Sequence, residues 1–537
     1  MPLRPRARTR SLAESAGLTL IFLLAGLSSL AAQTAVTTYH NNNYRTGWNS
    51  TESVLTPANV NTSQFGLLRL VSLDDEVDAE PLLVPGVTIT AGGHKNKYDV
   101  LYIVTGNNTV YAIDATGGAI LLSQNLGSPV PNPLGCLNNG PNVGITSTPV
   151  IDISSNTLYL IAYVEEASGP DYYLHALDIG SLTDKVSPVL ITASHTLTNG
   201  SSYVFNAKYQ RQRPALLEAN GNIYAGFGSF CDYSANVSRG WLLGWNAATL
   251  APLDANQLFD MQATDPDTFF LSSIWMSGYG LAADDSGNIV FVTGNSDYSG
   301  TTYDGATDLQ ESVIEVSPDL TTVVDMFTPS DWASLDESDG DFGAGGAMIL
   351  PDQTGSLPHL AVAAGKAGTM FFMNEDNLGG YSPTENNVLG SYSIGGCWCG
   401  DSYFVDPSDG DGRVVSSGGK RAEVWKLTTL PTPKLTLAKE SPELHTGQNG
   451  GFFTAVSSNG DANPIVWAVS RPVYKTNGAV YLYAFNPESS GKTLTALFSA
   501  VGGYWPNING DSNLVPLVAN GKVYVASYQE LRIFGLK

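Results

Sequence analysis

What most constrains this chain is its internal repetition. A unit made of an apolar strand, a tight turn, a second strand, a polar excursion and a third strand recurs along the sequence. "AEPLLVPG…DVLYIVTGNNTVYAIDATGG" is the first copy, and "RPALLEANGNIYAGFGSFCD…RGWLLGWNAATL" is the third. "GLAADDSGNIVFVTGNSD…ESVIEVSPDL" is the fourth, and "NLVPLVANGKVYVASYQELRIFGLK" is the eighth and last. No helical period persists between them; the runs are short, alternating or apolar, and are broken by Gly, Asn, Asp and Pro. Eight units of about four strands each imply an all-β fold, an eight-bladed β-propeller of four-stranded antiparallel blades. The eighth unit is one strand short, and Phe65 to Leu73, "FGLLRLVSL", precedes the first unit as the natural donor. The expected domain covers 36–537, a length one domain can reach because each blade carries its own sheet core. Residues 301–310 and 329–345 are long insertions, where loops often carry function.

Residues 1–31 read as a secretory signal peptide. Arg4, Arg6, Arg8 and Arg10 form the basic region, Leu18 to Leu30 is an apolar stretch too short to span a membrane, and small residues place the cut near Ala31. The mature protein is expected to be periplasmic or secreted, with no membrane span. Removing four Arg and Glu14 takes the net charge from −24 to about −27. That excludes nucleic acid and anionic membranes as partners. Four cysteines in an exported chain permit disulfides. Cys136–Cys231 is the favoured pair by elimination, while Cys397-Trp398-Cys399 leaves open a strained bridge, free thiols or another pairing. The sequence around them is neither a haem-attachment CxxCH nor a zinc site.

In "NIVFVTGNSDYSG" the strand Ile289 to Val292 stops abruptly at Gly294-Asn295. Both residues tolerate positive φ, which suits a turn. A long polar excursion nevertheless follows before "SVIEVSP", more than a hairpin needs. Asn295 is thus either a turn residue or a residue whose amide oxygen faces a ligand.

Across 65–537 the units resemble the quinoprotein alcohol dehydrogenases, whose eight-bladed propeller holds pyrroloquinoline quinone (PQQ) and Ca²⁺. "VYAIDATGGAILLSQ" is similar to the family's blade ending, and "TTYHNNNYRTGWNSTESVLTPANV" to the opening of PQQ-like propeller proteins. The resemblance implies roles for particular residues. "GSFCDYSANVSRGW" is similar to the segment in which an acidic residue binds Ca²⁺ before an Arg-Gly pair, which falls on Asp232 and Arg239-Gly240. "FVTGNSD" is similar to "GTGNP", whose Asn ligates the same ion, and the match is Asn295. Carboxylate and amide oxygens are the hard ligands Ca²⁺ takes. Trp275, twenty residues before Asn295, matches the indole beneath the quinone ring. "YDGATDLQESVIEVSP" resembles the stretch carrying the catalytic base, giving Asp308, with Asp304 as substitute. "AVAAGKAGTMFFMNEDNLGG" gives Lys366 as the contact to the quinone oxygens.

The function implied is oxidation of an alcohol or sugar hydroxyl, with electrons passed to an external acceptor. Asp232 in place of Glu, the eroded blade-end Trp pattern and the lack of a vicinal Cys pair fit a competing reading, a non-catalytic binding or assembly scaffold. A third reading, a hydrolase or lyase acting on polysaccharide, would draw on Asp336, Glu337, Asp339 and Asp341 in "SLDESDGDFGAGG".

Overall fold

The computed structural model describes residues 33–138, 140–264, 268–297, 303–444, 447–473, 477–507 and 512–537. The expected signal peptide lies outside the described residues. Eight antiparallel sheets follow in chain order and are numbered here as blades. Blade 1 is Leu82–Thr88, Lys97–Val104, Thr109–Asp114 and Ile120–Asn125. Blades 2 to 7 cover 150–190, 211–258, 282–328, 347–393, 402–440 and 454–504. Blade 8 takes Leu517–Ala519, Lys522–Ala526 and Glu530–Leu536 from the C-terminus, and its fourth strand is Phe65–Ser72. The closing register runs from Phe65 opposite Leu536 to Ser72 opposite Glu530, with a bulge between Leu67 and Arg69. The eight blades and the ring closure are those the repeats imply.

Because both faces of each sheet are covered by neighbours, the strands read as apolar runs rather than clean alternations. The core is accordingly divided into wedges between blades. Ile151, Leu158 and Leu160 of blade 2 pack with Val100 and Tyr102 of blade 1. On the opposite face of blade 2, Tyr159, Ile161 and Tyr163 pack with Ile223, Phe227 and Trp241 of blade 3. Two buried indoles find polar partners: Trp467 Nε1 donates to Ser457 Oγ at 2.8 Å and Trp425 Nε1 to Ser416 Oγ at 3.0 Å. Insertion 329–345 folds into a short helix, Trp332–Glu337, followed by a 3₁₀ turn, Phe342–Ala344.

The first strand of every blade is an edge facing the central channel, with backbone groups in need of partners. Residues 36–49 supply them, one blade after another. Val36 exchanges two bonds with Leu83 of blade 1, and Ile151 of blade 2 donates to Thr37 O. Asn43 Nδ2 donates to Glu218 O of blade 3, and Ala283 of blade 4 donates to Asn43 O. Ile349, Tyr403 and Val456 of blades 5, 6 and 7 donate to Tyr44, Thr46 and Gly47 O at 3.0, 2.8 and 2.8 Å. Asn49 Nδ2 completes the circuit at Val518 O of blade 8. This circlet is tied down by Arg45, which is fully buried and donates to Leu281 O, Thr38 Oγ1, Tyr39 O and Leu216 O. Tyr39 stacks on His40 at 4.8 Å and meets Tyr279 edge-on at 5.2 Å. Tyr279 in turn fits between Gly346 and Gly400, where a Cβ would come within 1.9 and 1.8 Å of its ring.

Two disulfides are present. Cys136–Cys231 joins the segment after blade 1 to the loop within blade 3, as favoured from the sequence. Cys397 and Cys399 are also bonded to each other, closing a loop whose only other member is Trp398.

Candidate functional site

A cavity of about 720 Å³ opens at the end of the channel where inner strands begin and second strands end. Two kinds of segment line it. One leaves the second strand of a blade: Ser229, Asp232 and Tyr233 after Asn222–Gly228 of blade 3, and Lys366 after Leu360–Ala364 of blade 5. The other leads into an inner strand: Arg211 and Arg213 at blade 3, Trp275 and Ser277 before blade 4, Asp339 and Asp341 before blade 5, and Trp398 before blade 6. The circlet bonds to residues further along the inner strands, so it closes the channel beneath this mouth.

Of the two residues read from the sequence as joint metal ligands, Asp232 lines this cavity and Asn295, which does not, lies beside Asp232. The Asn295 amide is close enough to the Asp232 carboxylate to pull its pKa down, and Ser229 Oγ donates to that carboxylate. Burial pushes the Asp232 carboxyl up, with Asp339 adding to that and Ser229, Asn295 and Lys366 opposing it. Asn295 is 6% exposed, and its N–H donates to Asp341 Oδ1 at 3.2 Å. Lys366 Nζ lies 2.6 Å from Asp339 Oδ1 and 3.3 Å from Asp341 Oδ2. Burial works against that ammonium, but Asp341 and Asp339 outweigh it and raise its pKa. Asp341 is 4% exposed, and burial raises its carboxyl to about 7 although Lys366 pulls it down. Trp275 lines the same cavity.

Several residues at or beside this mouth have a left-handed backbone. Cys231, Asp232, Met276, Ser277 and Asp339 hold φ between 42° and 55° without being glycine. Each costs roughly 1 kcal/mol or more, which the surrounding structure must offset, and such outliers cluster at ligand sites. Beneath the 339–344 loop lie the carboxyls of Glu311 and Asp336; burial raises both well above the usual range, and for Glu311 the nearby Asp336 charge adds to it. Glu311 accepts the Phe342 N–H and Asp336 the Ser296 N–H. This pair holds the Asp341 loop against the Asn295 strand end.

The structure does not bring Asp308 to the cavity. Asp308 is fully buried, accepts from Ser272 Oγ at 3.1 Å and bridges to Asp260, which is ion-paired to Arg239 at 3.1 Å. Asp304 caps a turn through the N–H groups of Ala306 and Thr307. The acids that line the mouth are Asp232, Asp339 and Asp341, the last two from the segment the sequence reading assigned to a polysaccharide-cleaving alternative. The sequence reading also missed Arg211 and Arg213. The Arg213 guanidinium donates to Thr146 O and approaches Asp78, whereas Arg211 Nε is buried without a hydrogen-bond partner. Burial, with Arg213 nearby, lowers Arg211 to about 10.

Among the described residues, no three His, Cys, Asp or Glu side chains are placed to hold a metal ion by themselves.

Comparison with solved structures places the fold. A europium-containing methanol dehydrogenase matches with TM-score 0.58 at 11% identity, over 94% of this chain and 98% of that one. BamB from Moraxella catarrhalis matches with TM-score 0.45 at 11% identity, over 88% and 98% of the two chains. Sqt1 of Saccharomyces cerevisiae matches with TM-score 0.45 at 10% identity, over 88% and 99%. No protein-family model and no curated protein sequence matches the chain. The molecule is a closed eight-bladed β-propeller with a ligand-sized mouth at one end of its channel. More particularly, its fold is like the propeller of the europium-containing methanol dehydrogenase.

Proposed function

We propose that this chain is an exported quinoprotein-type dehydrogenase, periplasmic or secreted, that oxidises an alcohol or sugar hydroxyl with PQQ and Ca²⁺ and passes the electrons to an external acceptor. What supports the reading is convergence. Asp232, Asn295, Trp275 and Lys366 come from separate segments of blades 3, 4 and 5, and each was selected by its place in a sequence motif. Asp232, Trp275 and Lys366 line one cavity mouth, and the Asn295 amide stands next to Asp232.

The donor set fits the proposed groups. Ca²⁺ takes six to eight oxygen ligands. Asp232 and Asn295 would supply a carboxylate and an amide oxygen, leaving the other positions to cofactor and water. When bound, PQQ supplies the electrophilic carbonyl that accepts hydride. The chain's own residues do the rest. Trp275 offers an indole face to a flat ring. Lys366 presents its ammonium to ligand oxygens and holds Asp341 in place from 3.3 Å. Asp341, partly ionised at neutral pH, accepts the hydroxyl proton as general base. It takes the role the sequence motif gave to Asp308, because Asp308 lies behind the Ser272 segment.

The test is a titration of chelator-stripped protein with PQQ, with and without Ca²⁺, followed by quinone absorbance. Saturable, Ca²⁺-dependent binding that Asn295→Ala weakens at least tenfold is expected. No binding at high micromolar PQQ would leave the second reading, a propeller that binds or scaffolds without catalysis. That reading draws support from Asp232 standing where the motif carries Glu and from the eroded blade-end Trp pattern.

A further inference from the structure

We propose that Trp398 is a second aromatic wall of the central cavity, and that the Cys397–Cys399 disulfide serves to position its indole against a flat ring bound there. The inference rests on the cofactor reading above and assigns it a further binding residue.

Its starting point is an odd exposure. Of the nine Trp in the chain, six are buried. Trp48, Trp275 and Trp398 are not, and Trp48 is accounted for by its bond to Ser458 and its edge contact with Tyr403. The other two both line the mouth. A packing Trp would resemble Trp241 or Trp467, fully buried between blades. Trp398 instead faces a polar cavity although Cys397, Cys399 and Gly400 around it are buried.

The mount is rigid. The disulfide closes a loop in which Trp398 is the only free member, with the flanking Cα atoms 4.9 Å apart. Trp398 O accepts from Arg471 Nη2 at 2.7 Å, and Arg471 is itself buried and bonded to Gly451 O and Ser512 O. Gly451, at φ 89°, lies directly on the loop: a Cβ there would stand 2.8 Å from Trp398 N and 3.2 Å from Cys399 Cβ. The indole edge rests on Gly396, and Lys366 Nζ sits 5.6 Å from the ring centroid. Lys366 also contacts Asp341, so one short chain of contacts links the indole to the proposed base.

A free Trp in a cavity of this size would lose rotamer and loop entropy each time a ligand arrived. Fixing the loop beforehand removes that cost from binding. Stacking on an indole face suits a flat ring, because the contact area is large and the ring quadrupole favours offset arrangements.

The experiment is the PQQ titration with Ca²⁺, run on the full chain as wild type, Trp398→Ala, Trp398→Phe, Cys397→Ser/Cys399→Ser, and the Ser pair combined with Trp398→Ala. Far-UV circular dichroism checks that each variant is folded. Trp398→Ala is expected to raise Kd on the order of tenfold, with Trp398→Phe recovering most of it. The Ser pair should weaken binding severalfold when Trp398 is present and add nothing when it is Ala, the signature of two residues acting as a unit. Wild-type binding with Trp398→Ala unchanged would overturn the inference alone. So would an equal loss from the Ser pair in both backgrounds, since the disulfide would then be only structural. If the Ser pair fails to fold, the Ala and Phe variants decide. Failure of the wild type to bind PQQ would defeat the cofactor reading and this inference with it.

Discussion

Glu80→Gln should stabilise this protein, and increasingly so as pH rises. Glu80 precedes blade 1, is 3% exposed, and accepts the His40 N–H of the circlet at 2.8 Å. Burial raises its carboxyl to about 8, with His40 and Arg45 pulling the other way. The folded pKa therefore lies above the unfolded one. The stability contributed by the protonated form is fully present below about pH 4.5 and is lost as pH climbs through about 8. A shift of roughly 3.5 units at 1.36 kcal/mol each gives a ceiling of about 5 kcal/mol at pH 9. At pH 5 the same linkage gives under about 1 kcal/mol. Gln keeps an acceptor for His40 and titrates nothing. With about 2.1 cal/mol/K per residue over roughly 500 residues, 1 kcal/mol moves Tm by about 1 °C. Differential scanning calorimetry of wild type and variant at pH 5, 7 and 9 should show the variant's advantage growing from under 1 °C to about 3–5 °C. A variant less stable than wild type by the same amount at every pH would refute the reasoning. Glu80 would then be ionised and paired with Arg45 across the circlet.

Arg45→Met should cost about 3–5 kcal/mol, because it leaves several buried carbonyls without donors while roughly keeping volume; urea denaturation measures it. Asp308→Asn should leave the PQQ dissociation constant within twofold of wild type, since Asp308 is buried against Ser272 and outside the cavity. Asp341→Asn should abolish dye-linked alcohol oxidation while PQQ stays bound, a contrast read from steady-state rates and quinone absorbance on the same samples.

The blades were legible because each repeats the same local grammar, and the missing strand of the eighth unit pointed to Phe65–Ser72 as its completion. The circlet was not. In "TTYHNNNYRTGWN" no period exists to detect, because its bonds go to one blade after another, often one bond per blade. Such a segment is specified by eight distant partners and leaves no local signature beyond its Asn, Gly and positive-φ positions. The helix Trp332–Glu337 escaped for a simpler reason: six residues are too few to show a 3.6-residue period.

The site was half legible, and the division follows the geometry of the mouth. Residues that leave a second strand sit at a motif-defined offset from an apolar run, so Asp232, Asn295 and Lys366 stand out against their strands. Residues that lead into an inner strand lie in irregular chain with nothing regular before them. Asp341 was masked by Asp336, Glu337 and Asp339, a composition that reads as a solvated loop. Yet a chain returning from the rim of a propeller to start the next inner strand must pass the channel mouth. Arg211, Trp275, Asp341 and Trp398 all lie within a few residues of an inner strand's start, and all reach the cavity. That offset, counted back from each repeat's first apolar run, is a sequence rule that picks out Asp341 as a cavity-lining acid, which Asp308 is not. Asp308 lies instead inside the excursion after Asn295, where the chain turns outward to pair with Asp260. The same rule explains how the chemistry of such a mouth can vary while the blades persist, since the residues that meet a ligand sit outside the sheets whose packing holds the ring together.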